Sequence, residues 1–272
     1  MTRDGRVESL WRERSMPKIS VTIICQNEEI NIRGCLESVR WADEIVVVDA
    51  GSADRTVEIA REYTDKIFHN PWPGHKEQKN FALDRAAGPW ILSMDADERV
   101  SPTLADRIRR EVESPRHDGY RFPRQNYFLG CRMRHGGWYP DHVLRLFLKE
   151  KGRFVGINPH DYVEIRGGDV GIIPIDLLHI TYRSYSQYVL KQLSYSRIGA
   201  AELEKRKKIR GVPGGVRFLA GFFFKFLETY VWKLGILDGW PGFVASIGGA
   251  HAKMGRLVLY REQVAPWEVP GP

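Results

Sequence analysis

The segment Met94-Asp95-Ala96-Asp97-Glu98 sets two carboxylates, Asp95 and Asp97, two residues apart at the end of an apolar run, just before a helix expected near Pro102. Hard oxygen ligands in that arrangement suit Mg²⁺ or Mn²⁺, an ion that also takes diphosphate oxygens. The same residues would serve as a solvated acidic loop capping the next helix, so the Asp-x-Asp pattern alone leaves both readings open. Asp49 ends a second apolar run, where a carboxylate accepts a hydrogen bond from a base or ribose at the carboxyl edge of a sheet; its plainer use is as the turn residue of Asp49-Ala-Gly-Ser. Gln78-Lys79-Asn80 opens a helix after the Pro71 to Gly74 loop, where backbone amides and the Lys79 ammonium would meet an anion, or where Lys79 is simply a surface lysine. His179, near Tyr182 and Arg183, is either a late metal or diphosphate contact or a hydrogen-bonded core histidine.

These residues need a frame, and the apolar periodicity supplies one. Ile19 to Cys25 is a short β-branched run of the kind buried on both faces of a sheet. Ile32, Leu36 and Val39 follow at helical spacing, Ile45 to Val48 forms the second strand segment, and Gly51, Ser52 and Asp54 open a helix near Arg55 to Tyr63. Lys66 to Phe68 reads as a third strand, Glu77 to Ala86 as a helix and Trp90 to Met94 as a fourth strand that delivers Asp95 at its carboxyl end. Such alternation predicts an α/β fold with a doubly wound, mostly parallel sheet and ligands at the strands' carboxyl ends.

After about Glu113 the chain changes to aromatic, Arg-rich and Gly-rich segments, with a strand-like Val143 to Phe147, and is expected to complete the sheet and form an acceptor-facing wall. A helical stretch from Ser186 to about Lys208, a Gly and Pro hinge at Gly211 to Gly215, and an aromatic segment from Val216 to Trp240 close the pattern. The expected organisation is an extension at 1–17, a catalytic domain at 18–185 whose halves are 18–112 and 113–185, and a helical region at 186–272.

With 272 residues, 43% hydrophobic, the chain can bury one substantial α/β core. A formal charge of +7 favours an anionic partner without choosing among phosphates, nucleic acid and acidic lipid. The basic residues are scattered and carry no nucleic-acid-binding motif, so no nucleic-acid partner is expected. Cys25, Cys35 and Cys131 have neither zinc nor disulfide spacing, which fits a reducing, cytoplasmic setting. The first twenty residues hold no secretory-type apolar segment, and no uncharged run approaches the roughly 20 residues that span a bilayer.

Four segments in order, Val21-Thr-Ile-Ile-Cys-Gln-Asn27-Glu28-Glu29, Glu44-Ile-Val-Val-Val-Asp49-Ala-Gly51-Ser52-Ala-Asp54-Arg-Thr, Gln78-Lys79-Asn80-Phe-Ala-Leu and Ile91-Leu-Ser-Met-Asp95-Ala-Asp97-Glu98, resemble family 2 glycosyltransferases. Later stretches, His135-Gly-Gly-Trp-Tyr-Pro-Asp141, Arg145-Leu-Phe147, His179-Ile-Thr-Tyr-Arg183-Ser and Leu237-Asp-Gly-Trp-Pro-Gly242, are similar to the bacterial lipopolysaccharide core β-1,4-glucosyltransferase branch. The resemblance implies a GT-A fold, a UDP-sugar donor, a divalent Mg²⁺ or Mn²⁺ cofactor, and inversion by direct displacement onto a lipopolysaccharide core or related glycan. It places Asn27, Glu28, Asp49, Lys79 and Asp95 in the donor pocket and Asp95 and Asp97 at the metal, only one of which need touch the ion. Where the family tends to show His-Glu, this chain has His160-Asp161. Direct displacement needs a carboxylate base on the acceptor side, and Asp161 stands there, with Asp141 as competitor and a turn carboxylate as the alternative for either.

Phe218, Phe222, Phe226 and Tyr230 recur every four residues beside Arg217 and Lys225. That stripe predicts either a helix lying in an anionic membrane interface, at the cytoplasmic face of the inner membrane, or a helix packed on the catalytic domain. Two rival functions are a sugar-nucleotide nucleotidyltransferase and a non-catalytic, membrane-associated nucleotide-sugar binding module. The first usually carries a Gly-rich basic loop where this chain has the acidic Gln26-Asn27-Glu28-Glu29, and the second has no need to keep both Asp95 and Asp97.

Overall fold

The computed structural model describes residues 18–157, 160–205 and 214–265. The extension at 1–17, positions 158 and 159, the end of the expected helix at 206–208, most of the expected hinge and positions 266–272 lie outside the described residues. The chain forms two compact units. One takes in the described residues up to Arg124 together with Asp141–His179, and the other Gln125–Pro140 together with those from Ile180 onward.

The first unit opens with β1 (Ile19–Cys25), α1 (Glu29–Val39), β2 (Glu44–Asp49), α2 (Thr56–Ala60), β3 (Ile67–His69), α3 (His75–Arg85) and β4 (Trp90–Asp95). β1 and β2 are buried at every position, which is why they read as continuous apolar runs. β1 pairs in parallel with β2 on one side and β4 on the other, and β3 adds to β2, also in parallel. Alternate side chains feed two cores. Val21, Ile23 and Val47 pack with Ile32, Cys35 and Leu36 of α1, whereas Ile24, Val46 and Val48 pack with Ala82 and Leu83 of α3 on the opposite face. Helices therefore cover both faces of the sheet.

After β4 come β5 (Glu98–Arg99) and α4 (Pro102–Glu113), whose start is fixed by Pro102 in the first turn and by the Ser101 hydroxyl accepting a hydrogen bond from Leu104 N–H at 3.2 Å. The chain then returns through β6 (Gly119–Phe128), β7 (Cys131–Arg132) and β8 (Asp141–Leu148). β8 runs antiparallel to both β4 and β6, so the sheet is parallel in its first half and mixed beyond it. A separate antiparallel pair, β9 (Gly152–Ile157) and β10 (His160–Ile165), precedes β11 (Val170–Ile172) and β12 (Leu177–Tyr182). β12 sets His179 directly opposite Glu98 of β5.

The second unit carries α5 (Tyr185–Lys205), α6 (Gly215–Phe226), a π-helical turn at Leu227–Trp232, a 3-10 turn at Gly235–Asp238 and α7 (Gly239–Val264). Phe128, Tyr182, Tyr188 and Trp138 form its aromatic centre. Of the stripe at 218, 222, 226 and 230, Phe226 and Tyr230 stack and both meet Phe243 of α7. A different set, Val216, Leu219, Phe223, Phe224, Leu227 and Trp232, is the exposed apolar face. No helix among the described residues is long and apolar enough to cross a membrane.

Gly152 has no room for a side chain, since a Cβ there would lie 2.2 Å from Cδ2 of the buried Phe147 ring. Gly152→Ala is expected to cost about 1–3 kcal/mol of stability through overpacking. Urea unfolding with an unchanged midpoint would contradict this packing.

Candidate active site

Two loops at the carboxyl ends of β1 and β2 are tied to each other before any ligand is considered. Asn27, at φ 55°, donates its N–H to Ser52 Oγ at 2.8 Å and accepts from Ala53 N–H through Oδ1 at 2.8 Å. Glu28 N–H donates to Thr56 Oγ1 at 2.7 Å, and the Glu28 carboxylate accepts from Asn31 Nδ2 at 2.7 Å. Asp49 accepts from Gly51 N–H at 2.9 Å and Ser52 N–H at 3.0 Å, which is its turn role. Asp49 also lines a cavity of about 520 Å³ with Val57, Arg61, Asp65, Ile67 and His69, and His69 Nδ1 stands 3.9 Å from its Oδ2. The two roles foreseen for Asp49 are thus compatible: the turn fixes the carboxylate that walls the cavity.

Three consecutive residues of α3 have distinct tasks. Gln78 exchanges hydrogen bonds with Asn70, donating to its carbonyl at 3.1 Å and accepting from its Nδ2 at 2.7 Å. Asn80 does the same with the backbone of Phe154 in β9, at 2.9 and 3.1 Å. Lys79, between these clamps, is no surface lysine: its side chain is 9% exposed, and Nζ lies 3.3 Å from Asp95 Oδ1 and 3.3 Å from Asp161 Oδ2. Asp161, its side chain 5% exposed, is thereby joined to Asp95 through one ammonium.

Arg145 holds the other side of Asp95. Its Nη2 donates to Asp95 Oδ2 and, at 2.7 Å, to Oε1 of the fully buried Glu98. Glu98 Oε2 accepts the Asp95 backbone N–H at 3.0 Å, and Arg124 Nη1 stands 3.7 Å from Glu98 Oε1. Arg124 is also bound to Asp141, through Nε at 2.9 Å and Nη2 at 2.5 Å. Burial works against ionising Asp95, yet Arg145, Lys79, Arg124 and His179 outweigh it and hold the carboxyl well below the usual range. For Arg145 burial also opposes the charge, and Asp95 and Glu98 overcome it, raising the guanidinium further.

Asp97 and His179 form the last part: His179 Nε2 lies 3.3 Å from Asp97 Oδ2. Among the described residues no three His, Cys, Asp or Glu side chains converge as a ready-made metal cage. The donor set nonetheless fits a hard divalent ion that takes few protein ligands, because a carboxylate oxygen and an imidazole nitrogen face each other while substrate oxygens and water can complete the shell. Asp95 is placed differently, with Lys79 and Arg145 on its two oxygens. Sequence reasoning did not single out Arg145, Glu98 and Arg124 as site residues. The available signal was Arg145 itself, a charge in the apolar strand Val143 to Phe147 that had to find a buried acid.

An α/β sheet with helices on both faces, two interlocked loops at its carboxyl edge and an acid-rich cluster after β4 defines a GT-A-like fold, and residues 20–165 match the family described as Glycosyl transferase family 2. The lipopolysaccharide core biosynthesis glycosyltransferase LpsC of Rhizobium meliloti is 30% identical over 252 residues, which is 86% of this chain and 89% of that protein. An uncharacterized glycosyltransferase of Rickettsia typhi is 33% identical over 260 residues, 91% of this chain and 88% of its own length. The crystal structure of S. aureus TarS 1-349 in complex with UDP is similar over 90% of this chain and 89% of that one, at 15% identity and a TM-score of 0.46. The chain belongs to glycosyltransferase family 2.

Removing Arg145 would leave two acids facing each other without their shared cation. Arg145→Gln is expected to lose about 3–5 kcal/mol near neutral pH. Asp95 has a depressed folded pKa, so its contribution is present above the unfolded value of about 3.9 and fades as pH falls through the folded one. The gap between wild type and variant should therefore narrow in acid. Denaturant titrations at neutral and acid pH giving a constant or widening gap would refute the pairing.

Proposed function

We propose that this glycosyltransferase moves a hexose, glucose from UDP-glucose in the first instance, to a hydroxyl of a lipopolysaccharide core or related glycan, with inversion at the anomeric carbon. The observation that carries this reading is Lys79, clamped by its neighbours Gln78 and Asn80 and shared between Asp95 and Asp161. A single ammonium between two carboxylates would exchange one of them, Asp161, for an incoming diphosphate, freeing that carboxylate for proton transfer. The donor's nucleoside would occupy the Asp49 cavity, whose wall is fixed by the interlocked β1 and β2 loops that carry Asn27 and Glu28. The acceptor class rests on the similarity to LpsC and on the later motifs quoted above.

In the reaction the acceptor oxygen bonds to the anomeric carbon as the bond from that carbon to the diphosphate oxygen breaks. The electron pair leaves with the diphosphate, and Asp161 takes the hydroxyl proton. Asp161 is favoured over Asp141 because it belongs to the Lys79 and Asp95 cluster, whereas Asp141 is held twice by Arg124. Asp97 and His179 would hold Mg²⁺ or Mn²⁺, while Lys79 and Arg145 hold Asp95. When bound, the ion offsets the charge that develops on the leaving diphosphate. The exposed apolar face of α6, on a chain of net charge +7, would rest on an anionic membrane surface at the cytoplasmic face of the inner membrane.

Two measurements test the chemistry. EDTA should abolish transfer, added Mg²⁺ or Mn²⁺ should restore it, and Asp97→Ala should remove most turnover; full activity in EDTA would end the metal assignment. Asp161→Asn should lower the transfer rate by about 10²–10⁴ while UDP still binds by calorimetry. In the same titrations Asp49→Ala and Lys79→Ala should bind UDP more weakly. If Asp161→Asn transfers at the wild-type rate and Asp141→Asn does not, the base is Asp141.

A further inference from the structure

The second unit contains a cavity of about 330 Å³ whose walls include Tyr195 and Ser196 of α5, Phe224 and Lys225 of α6, one acid, Glu228, and Lys253 and Arg256 of α7. Its charges are unevenly matched. Lys225 donates to Glu228 Oε2 at 3.0 Å, but Glu228 is also claimed by Lys233 at 2.6 Å. Lys253 and Arg256, three residues apart on one helix face, have no carboxylate within ion-pair distance among the described residues. The Nε of Arg256 is buried and makes no hydrogen bond there. Gly199 of α5 allows this placement, because a Cβ at that position would lie 2.8 Å from Arg256 Cδ. Desolvation by the surrounding walls, with Arg256 and Lys225 nearby and only Glu228 opposing them, holds the Lys253 ammonium below the usual lysine range. A surface cavity that gathers like charges and leaves a buried guanidinium N–H without an acceptor is short of an anion.

The cavity also borders the apolar face. Phe224 lines it and is nevertheless 60% exposed, and Val216, Leu219, Phe223 and Leu227 of the same stretch are exposed as well, Val216 at 85%. A free phosphate ester would use the cations and leave those side chains in water. An amphiphile with a terminal phosphate uses both, headgroup in the cavity and hydrocarbon along the exposed face of α6.

We propose that the cavity lined by Lys225, Lys253 and Arg256 is a site for the phosphate headgroup of a membrane lipid, which seats α6 on the bilayer in one orientation. This rests on the proposed membrane association and adds to it a specific pocket. Neither Lys253 nor Arg256 belongs to the catalytic cluster, so their replacement should leave UDP binding unchanged and serves as the check on folding.

The experiment is flotation with phosphatidylcholine vesicles carrying either phosphatidic acid or phosphatidylglycerol at matched surface potential. Lys253→Gln/Arg256→Gln is compared with wild type and with Lys191→Gln/Arg197→Gln, which removes equal charge from exposed positions of α5. Wild type should prefer phosphatidic acid, and the cavity variant should lose that preference, with about tenfold or greater weakening on those vesicles. The α5 variant should weaken on both vesicle types alike. Failure of wild type to float with any anionic vesicle would overturn the membrane reading itself. Flotation without preference, or with equal losses in the two variants, would overturn the pocket alone. Titration with soluble glycerol 3-phosphate as tight as binding to vesicles would overturn the lipid as occupant.

Discussion

Arg145 is the residue on which the arrangement of the active site depends. A guanidinium buried to this extent survives only beside acids, and here it has two, Asp95 at the end of β4 and Glu98 at the start of β5. The sheet makes the meeting possible. β8 returns antiparallel beside β4 with Leu146 opposite Leu92, so Arg145 falls one step nearer the Asp95 end. Each acid then acquires a further task. Glu98 caps the Asp95 amide and draws in Arg124, and Asp95 keeps its other oxygen for Lys79. The acidic turn between β4 and β5 is therefore fixed by a charge that arrives from about fifty residues further along the chain.

The same logic of positioning through shared partners recurs at the β1 and β2 loops. Asn27, Glu28 and Glu29 give their backbone N–H groups to Ser52, Thr56 and Asp54, side chains of the loop after β2 and of the first residue of α2. Strand pairing between β1 and β2 sets the two loops side by side, and these hydrogen bonds remove their remaining freedom. Preorganisation of this kind limits the entropy lost when a nucleoside binds. It also explains why Asp49 can be a turn residue and a cavity wall at once.

The sequence made the first half of the fold legible because buried parallel strands announce themselves as apolar runs and α1 as a period of three to four. Asp49, Asp95 and Asp97 stood out as candidates for the same reason, each at or just past the end of a run. Their partners were not. Arg145 and Arg124 come from antiparallel strands whose register no local pattern fixes, and the contact of Lys79 with Asp161 depends on β9 and β10 packing on α3 through Asn80. The aromatic stripe divides in a specific way. Residues four apart advance about 40° per step around a helix of 3.6 residues per turn, so the stripe winds. Its later members, Phe226 and Tyr230, reach Phe243, while Phe223 and Phe224 face outward in a segment too uniformly apolar for periodicity to tell the faces apart.

The balance of charge carries the proposed chemistry one step further. Around the Lys79 and Arg145 cluster, five carboxylates, Asp95, Asp97, Glu98, Asp141 and Asp161, face three permanent cations, Lys79, Arg124 and Arg145. With the His179 imidazole counted as neutral, the excess is two negative charges. A nucleotide diphosphate brings more negative charge, so side chains alone would repel the donor proposed to meet Lys79. In the proposed reading, one divalent ion held by Asp97 and His179 would offset that excess and leave Lys79 to meet the phosphates. In unit two the imbalance has the opposite sign, with Lys253 and Arg256 short of acids, and the deficit there calls for an anion instead of a metal. On both proposals, the charge that each site leaves uncancelled sets the sign of the partner it would take.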